Sequence, residues 1–215
     1  VKKIRAVSFD FGGVLAEEGF REGLKAIGLK NGIDPDGFFS VAEHLIHDIG
    51  YVTGSADESA YWEALRKETG VTGDDGDLRK EILQRFVLRR QVLDLAGKVH
   101  SAGFVTSIIS DQTNWLDELE EREHFFHHFD FIFNSYKLHK SKRDPSIFTD
   151  VCLVMGIEPP ELFFVDDNSG NIENAKRMGL HAVLFTDAEA LEKEIERILA
   201  PGTPLVKNAG RRFHR

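Results

Sequence analysis

The sequence predicts an α/β protein, a doubly wound parallel sheet with a block of helices inserted after its first strand. Three observations carry this expectation. Short β-rich runs recur at 6–9, 104–111, 129–135, 162–167 and 182–186. Segments of helical period separate the later runs, several of them ending in a glycine stop. Residues 16 to about 90 hold no convincing strand. Strands and helices alternating over short joints imply parallel strands linked by helical crossovers, and ligands in such sheets sit beyond the carboxyl ends of the strands.

The first run, Ala6-Val7-Ser8-Phe9, delivers one carboxylate, Asp10, to its end, and Phe11, Gly12 and Gly13 follow. Asp and Gly suit a chain reversal, so a turn is one role for Asp10. Its place at the ligand edge of the sheet gives it another. Residues 21–32, 38–50, 58–70 and 77–91 then read as helices separated by Gly, Pro and Asp turns, a cap over that edge. Helix 92–103 returns to the sheet, and the second core strand ends in Ser110 and Asp111. A helix beginning near Asn114 presents "DELEERE" (117–123) as a solvated face. The third run precedes helix 146–156; the fourth ends in Asp166 and Asp167, before helix 171–179 and the last run. The expected division is a core of 1–15 and 91–200, a helical cap of 16–90 and a C-terminal surface arm of 201–215. A cap joined through two crossings is expected to move relative to the sheet and to exclude water when closed.

Bulk properties narrow the function classes. A chain of 215 residues, 41% hydrophobic and 29% charged, is long enough for one sizeable core. No apolar run approaches the roughly 20 residues that cross a bilayer, and no charged-then-apolar leader precedes the first strand, so the expectation is a cytoplasmic protein without a membrane partner. The single Cys152, inside an apolar helix-like run, reads as a buried structural thiol. A net charge of -9 argues against nucleic acid, because phosphate backbones need clustered Lys and Arg, and the one basic cluster is the short tail 207–215. Monomer and homodimer both remain open.

The chemistry gathers at strand ends. Asp10, Asp166 and Asp167 brought together repel one another, and a hard divalent cation resolves the repulsion; Mg2+ is the usual choice. An ionised Asp10 is then a nucleophile toward phosphorus. Lys142 would supply positive charge for phosphate and nucleophile. Ser110 would donate a hydrogen bond, and N–H groups around Phe11, Gly12 and Asp111 would complete the cradle.

These residues fall into four ordered motifs: "FDFGGVL" (9–15), Ser110, "KRDPSIF" (142–148) and "FFVDDNSGNIENAKRMGL" (163–180). In this the chain resembles the haloacid dehalogenase superfamily, its phosphatase branch with a helical cap after the first motif. The resemblance implies that Asp10 is the nucleophile and that Lys142 orients nucleophile and phosphate. It also implies Mg2+ held by Asp10, the Gly12 carbonyl and the acidic pair; of Asp166 and Asp167 we choose Asp167 as the direct ligand, with action through water as the alternative role, left to Asp166. The expected activity is hydrolysis of a small phosphorylated metabolite. The competing readings are a catalytically weak relative that binds a phosphoryl ligand or a protein partner, and a dehalogenase; the acidic pair argues against the latter.

Two departures qualify the match. Arg143 follows Lys142 where the family usually has Pro, and Lys140 is a rival without the right spacing to Pro145, Ile147 and Phe148. Gly12 stands where most phosphatases of the superfamily place a second Asp as general acid and base. That role then falls to the substrate, a water, a cap residue or Asp111, although Asp111 also suits a helix cap. Among lesser signals, His124, His127 and His128 have metal-like spacing but read as surface or half-buried histidines, as do His44 and His47 of the cap. Phe38, Phe39, Tyr61 and Trp62 read as cap core, any of them facing the cleft being placed to choose substrate.

Overall fold

The computed structural model describes residues 3–199, so the expected arm at 201–215 lies outside the described residues. Five parallel strands form one sheet: β1 (Ala6–Phe9), β2 (Val105–Ser110), β3 (Phe131–Asn134), β4 (Leu162–Asp166) and β5 (His181–Leu184), in the order β3-β2-β1-β4-β5. Strand β1 is central, and successive side chains alternate between two apolar clusters, one on each face. Val7, Phe9, Ile108, Phe163 and Val165 enter one cluster; Ala6, Ile109, Leu162 and Phe164 enter the other. Both faces are therefore buried, which explains why these strands read as continuous apolar runs.

The helical insertion lies between β1 and β2. It comprises α1 (Gly19–Lys30), α2 (Pro35–Asp48), α3 (Glu58–Thr69) and α4 (Asp75–Leu83), followed by α5 (Arg90–Ser101), which packs back toward the sheet. Asp34, Asp57 and Asp74 cap α2, α3 and α4, accepting the N–H groups of Gly37 (2.7 Å), Ala60 (2.9 Å) and Gly76 (2.9 Å). The periodic stretch 77–91 is not one helix: α4 stops at Leu83 and α5 starts at Arg90. The residues between them must bring the chain home. Phe86 is buried, and Leu88 forms an antiparallel bridge with Ala16 on the outgoing chain. Arg89 fastens this crossing, pairing with Glu17 at 2.8 Å and donating to the carbonyls of Gly13, Val14 and Ala16.

Downstream lie α6 (Trp115–Glu123), the short α7 (Ser135–Leu138), α8 (Ser146–Met155), α9 (Ser169–Arg177) and α10 (Ala188–Leu199). The amphipathic α10, which the sequence reading does not name, buries Leu191, Ile195 and Ile198. Cys152 is buried on α8, and burial pushes its thiol up to about 12. No helix among the described residues is long and apolar enough to cross a membrane.

The insertion and the sheet layer share one apolar cluster. Leu24, Phe38, Tyr61 and Trp62 of the insertion belong to the same cluster as Phe9, Val165 and Trp115. Trp62 stacks on Trp115 of α6 with ring centroids 6.1 Å apart.

Candidate active site

Register brings the acids together. Phe9 pairs with Ile108 on one side and Val165 on the other, so the next residue, Asp10, emerges beside Asp166 and within reach of Ser110. The Asp10 amide continues the ladder to the Val165 carbonyl at 2.8 Å. This is the edge between β1 and β4, where successive connections depart in opposite directions and a crevice opens. The cleft encloses about 390 Å³; Asp10, Gly12, Ser110, Asp111, Lys142 and Asp167 are among the residues on its walls.

Lys142 sits at the centre. It is 1% exposed, and its Nζ lies 2.8 Å from Asp10 Oδ2 and 2.6 Å from Asp166 Oδ2. Burial disfavours its charge, but the carboxylates of Asp10, Asp166 and Asp111 outweigh burial and hold it above the ordinary lysine range. Asp10 is pushed well above the usual carboxylate range by burial, against the pull of Lys142 and with Asp166 and Asp167 adding to the rise. Its other oxygen accepts the Phe11 amide at 2.7 Å. Lys140, by contrast, turns away to Asp150 and Ser146.

The acidic pair divides its tasks. Asp166 is buried, and its oxygens accept from Lys142 Nζ, the Asn168 amide (2.7 Å) and Asn171 Nδ2 (3.1 and 3.2 Å). Asp167 is more exposed and leans over Gly13, where an added Cβ would stand 2.1 Å from its Oδ2. With φ at +82°, Gly13 is needed twice, for its backbone and for that approach. One oxygen from each of Asp10, Asp166 and Asp167 falls within 4.8 Å of the others. Three carboxylates face one ammonium, so negative charge is left over, and an all-oxygen donor set of this kind suits a hard divalent cation.

The groups that hold the lysine segment are less legible in the sequence. Asp111 neither caps α6 nor points its carboxylate freely into the cleft: both oxygens accept the Lys142 backbone N–H, at 2.9 and 3.2 Å. The Trp115 amide at the start of α6 goes instead to Thr113 Oγ1. Asn174 on α9 donates to the Lys142 carbonyl at 3.0 Å, so the lysine segment is held from both sides. Asn171 and Asn174 lie three apart on α9 and share a face, a spacing visible within the fourth motif.

The Gly12 position is filled from the chain crossing and from β2's outgoing loop. A Cβ built there would stand 3.3 Å from the Phe86 ring, 3.7 Å from Glu18 Oε2 and 3.8 Å from Gln112 Nε2. Glu18 is the cap residue of α1; its Oε1 accepts the Arg21 amide at 3.3 Å, which leaves Oε2 toward Gly12. Nothing in the stretch "LAEEGF" distinguishes Glu18 from a surface acid.

Other candidates separate from the site. Among the described residues the aspartate trio is the one group of acids, histidines or cysteines close enough to share an ion, so His124, His127 and His128 form none. The rings of His127 and His128 pack on each other instead, 3.9 Å apart. Phe38, Tyr61 and Trp62 are buried, whereas Phe39 and His47 line the cleft. Burial, then the charge of Arg143, pushes the His47 imidazole down to about 4.

The family model for haloacid dehalogenase-like hydrolases matches residues 4–179, from before β1 through α9. The chain belongs to that family. Among curated relatives, the bifunctional epoxide hydrolase 2 of Rattus norvegicus is 28% identical over 124 residues, covering 54% of this chain and 22% of the rat protein. The flavin mononucleotide hydrolase 1 of Arabidopsis thaliana is 27% identical over 156 residues, 71% of this chain and 62% of that protein. The chain thus spans less than two thirds of either relative. Among solved structures, a family enzyme of Bacteroides thetaiotaomicron, in complex with magnesium and inorganic phosphate, superimposes with a TM-score of 0.67 at 22% identity, covering 85% of this chain and 94% of that one. At that identity the likeness speaks for the fold.

Proposed function

We propose that this haloacid dehalogenase-like hydrolase is a magnesium-dependent phosphatase acting on a small phosphorylated metabolite. The observation that carries the reading is the contact of Asp10 with Lys142 at 2.8 Å beside the aspartate trio. Asp10, Asp167 and the Gly12 carbonyl would hold Mg2+, with Asp166 behind them. The ion would neutralise the acids and the phosphate oxygens, so that a carboxylate can approach a phosphate dianion.

Asp10 attacks phosphorus, the P–O bond to the leaving group breaks, and an aspartyl phosphate forms; water then cleaves it to inorganic phosphate and restores the carboxylate. Lys142 holds Asp10 in line and balances phosphate charge, while Ser110 and nearby amides bind the remaining phosphate oxygens. Asp111, through the Lys142 amide, positions the lysine. Glu18 takes the place of the acid missing at Gly12, protonating the leaving oxygen and then accepting a proton from the attacking water. The relative named for flavin mononucleotide hydrolysis and the magnesium-phosphate complex of a protein of like fold support a phosphoryl substrate. A cleft of about 390 Å³ suits a small molecule.

The test is turnover of an aryl phosphate with Mg2+, with and without chelator, by wild type and Asp10→Asn. Loss of activity in chelator and in the variant, with the fold kept, is the expected result. Activity that persists in excess chelator would overturn the metal assignment, and halide release from a 2-haloacid without aryl phosphate turnover would favour dehalogenation. A wild type that binds phosphate analogues yet turns over no ester would favour the weak, ligand-binding relative that Gly12 suggests.

A further inference from the structure

The far wall of the cleft comes from α1 and α2, with Phe20, Arg21, Phe39, Ile46 and His47 facing across to the aspartates. Two arginines reach this cleft, and they differ. Arg143 is met by Glu43 at 3.2 Å, so its charge is balanced within the protein. Arg21 has no carboxylate within ion-pair distance among the described residues; its guanidinium lies over the Phe39 ring, 5.3 Å from the centroid. Glu18, one of the acids that feels its field, is engaged at Oε1 with Arg21's own amide. His47, pushed down to about 4, is neutral near pH 7 and adds no competing cation.

We propose that Arg21, oriented by Phe39, selects phosphate esters whose leaving group is flat and carries a second negative charge, a carboxylate or another phosphoryl group. The proposal rests on the phosphatase reading above. A guanidinium presents a planar fork that matches carboxylate and phosphate oxygens bidentately, and stacking on an aromatic face holds that fork in place before the ligand arrives. The same ring offers a platform for a flat leaving group. With the reacting phosphate on the sheet edge and the second anion at the roof, the ester spans the cleft.

The test uses ligands that cannot turn over. Binding of benzylphosphonate and of (4-carboxybenzyl)phosphonate to the full chain with Mg2+ is measured by calorimetry for wild type, Arg21→Gln, Arg21→Lys and Arg143→Gln. The wild type is expected to prefer the carboxylated ligand about tenfold, in keeping with a charge-assisted bidentate contact. Arg21→Gln should abolish the preference, Arg21→Lys should retain part of it, and Arg143→Gln should leave it intact. Benzylphosphonate binding without a preference in wild type, or a preference unchanged in Arg21→Gln, overturns the Arg21 proposal and leaves the phosphatase reading standing. Failure of both ligands to bind overturns the two together.

Discussion

Glu58 accepts the indole N–H of Trp115 at 3.1 Å, a hydrogen bond from α6 beside the sheet into α3 of the insertion. The same carboxylate accepts the Trp62 indole at 2.9 Å and Arg79 at 3.0 Å. Around it Tyr51, Tyr61, Trp62 and Trp115 pack ring on ring. Glu58→Ala leaves two indole donors without their acceptor and Arg79 with Glu118 alone, at 3.5 Å. The expected loss is about 1–3 kcal/mol, from leaving buried donors unpaired, read as a lower denaturant midpoint. A variant as stable as wild type would mean the seam is held by ring packing alone. The seam also bears on cap movement, because swinging the whole insertion outward would expose the shared apolar cluster. Hydrogen exchange in α3 is therefore expected to be as slow as in α6, with or without beryllium fluoride as a phosphate mimic.

Lys142 and the expected cation serve the same carboxylates, and their effects should be coupled. Lys142→Met removes the buried ammonium from between Asp10 and Asp166, a change that typically costs about 3–5 kcal/mol. Mg2+ should stabilise the wild type by preferential binding to the folded state, about 2.7 kcal/mol at a hundredfold excess over Kd. In Lys142→Met the Mg2+-induced rise in Tm should be larger, since the ion then relieves repulsion the lysine no longer screens. Asp167→Asn should reduce the rise in both backgrounds. Equal Mg2+ shifts with and without Lys142 would mean that ion and lysine act on different groups.

His47 gives a pH prediction whose sign is fixed by its environment. Its imidazole is pushed down to about 4 in the folded chain, by burial and then by Arg143, against about 6.5 in an unfolded chain. Between those values the unfolded state binds more protons, so this residue makes stability rise with pH and fall as pH drops from 6.5 toward 4. Carbon-13 chemical shifts of labelled histidine should show one imidazole still neutral at pH 5, absent from spectra of His47→Gln. Titration of every histidine near 6.5 would contradict it.

The parts of the site that strand ends deliver were legible in the sequence. Asp10, Ser110 and Asp166 stand at the ends of β1, β2 and β4, which the parallel register turns into proximity, and Lys142 joins them from the segment before α8. The break at 84–89 was not legible, because "LQRFVLRR" carries good helical period and nothing local says that Phe86 and Leu88 must close the return to the sheet. Glu18 was hidden for a related reason. It is brought to Gly12 where the outgoing chain meets the return to the sheet, a tertiary feature that two neighbouring glutamates in a loop do not announce. Asn171 and Asn174 lay within the quoted motif, yet their targets, Asp166 and the Lys142 carbonyl, are fixed only once α9 packs.

The relation of Glu18 to Gly12 leads to the sharpest test of chemistry. If Glu18 protonates the leaving oxygen, turnover should depend only moderately on leaving-group basicity in wild type. Glu18→Gln should then steepen that dependence, because its amide still accepts the Arg21 N–H and preserves the helix cap but has no acid proton to give. Alkyl phosphates should lose about 10²–10⁴-fold and aryl phosphates with good leaving groups little. Burial, with Asp167 adding to it, raises the Glu18 carboxyl above its usual range, the direction that favours a proton donor. Gly12→Asp provides the complement: the backbone there is not left-handed, and the new Cβ needs only a few tenths of an ångström from the Phe86 ring. In wild type the added carboxylate would crowd Glu18 and gain little. In the Glu18→Gln background it should restore alkyl phosphate turnover, since an acid returns to the same space without a charged neighbour. Rates measured over a series of substituted phenyl and alkyl phosphates for the four proteins decide the matter. A dependence equally steep in wild type and Glu18→Gln would remove Glu18 from the chemistry and leave the proton to water or to the substrate.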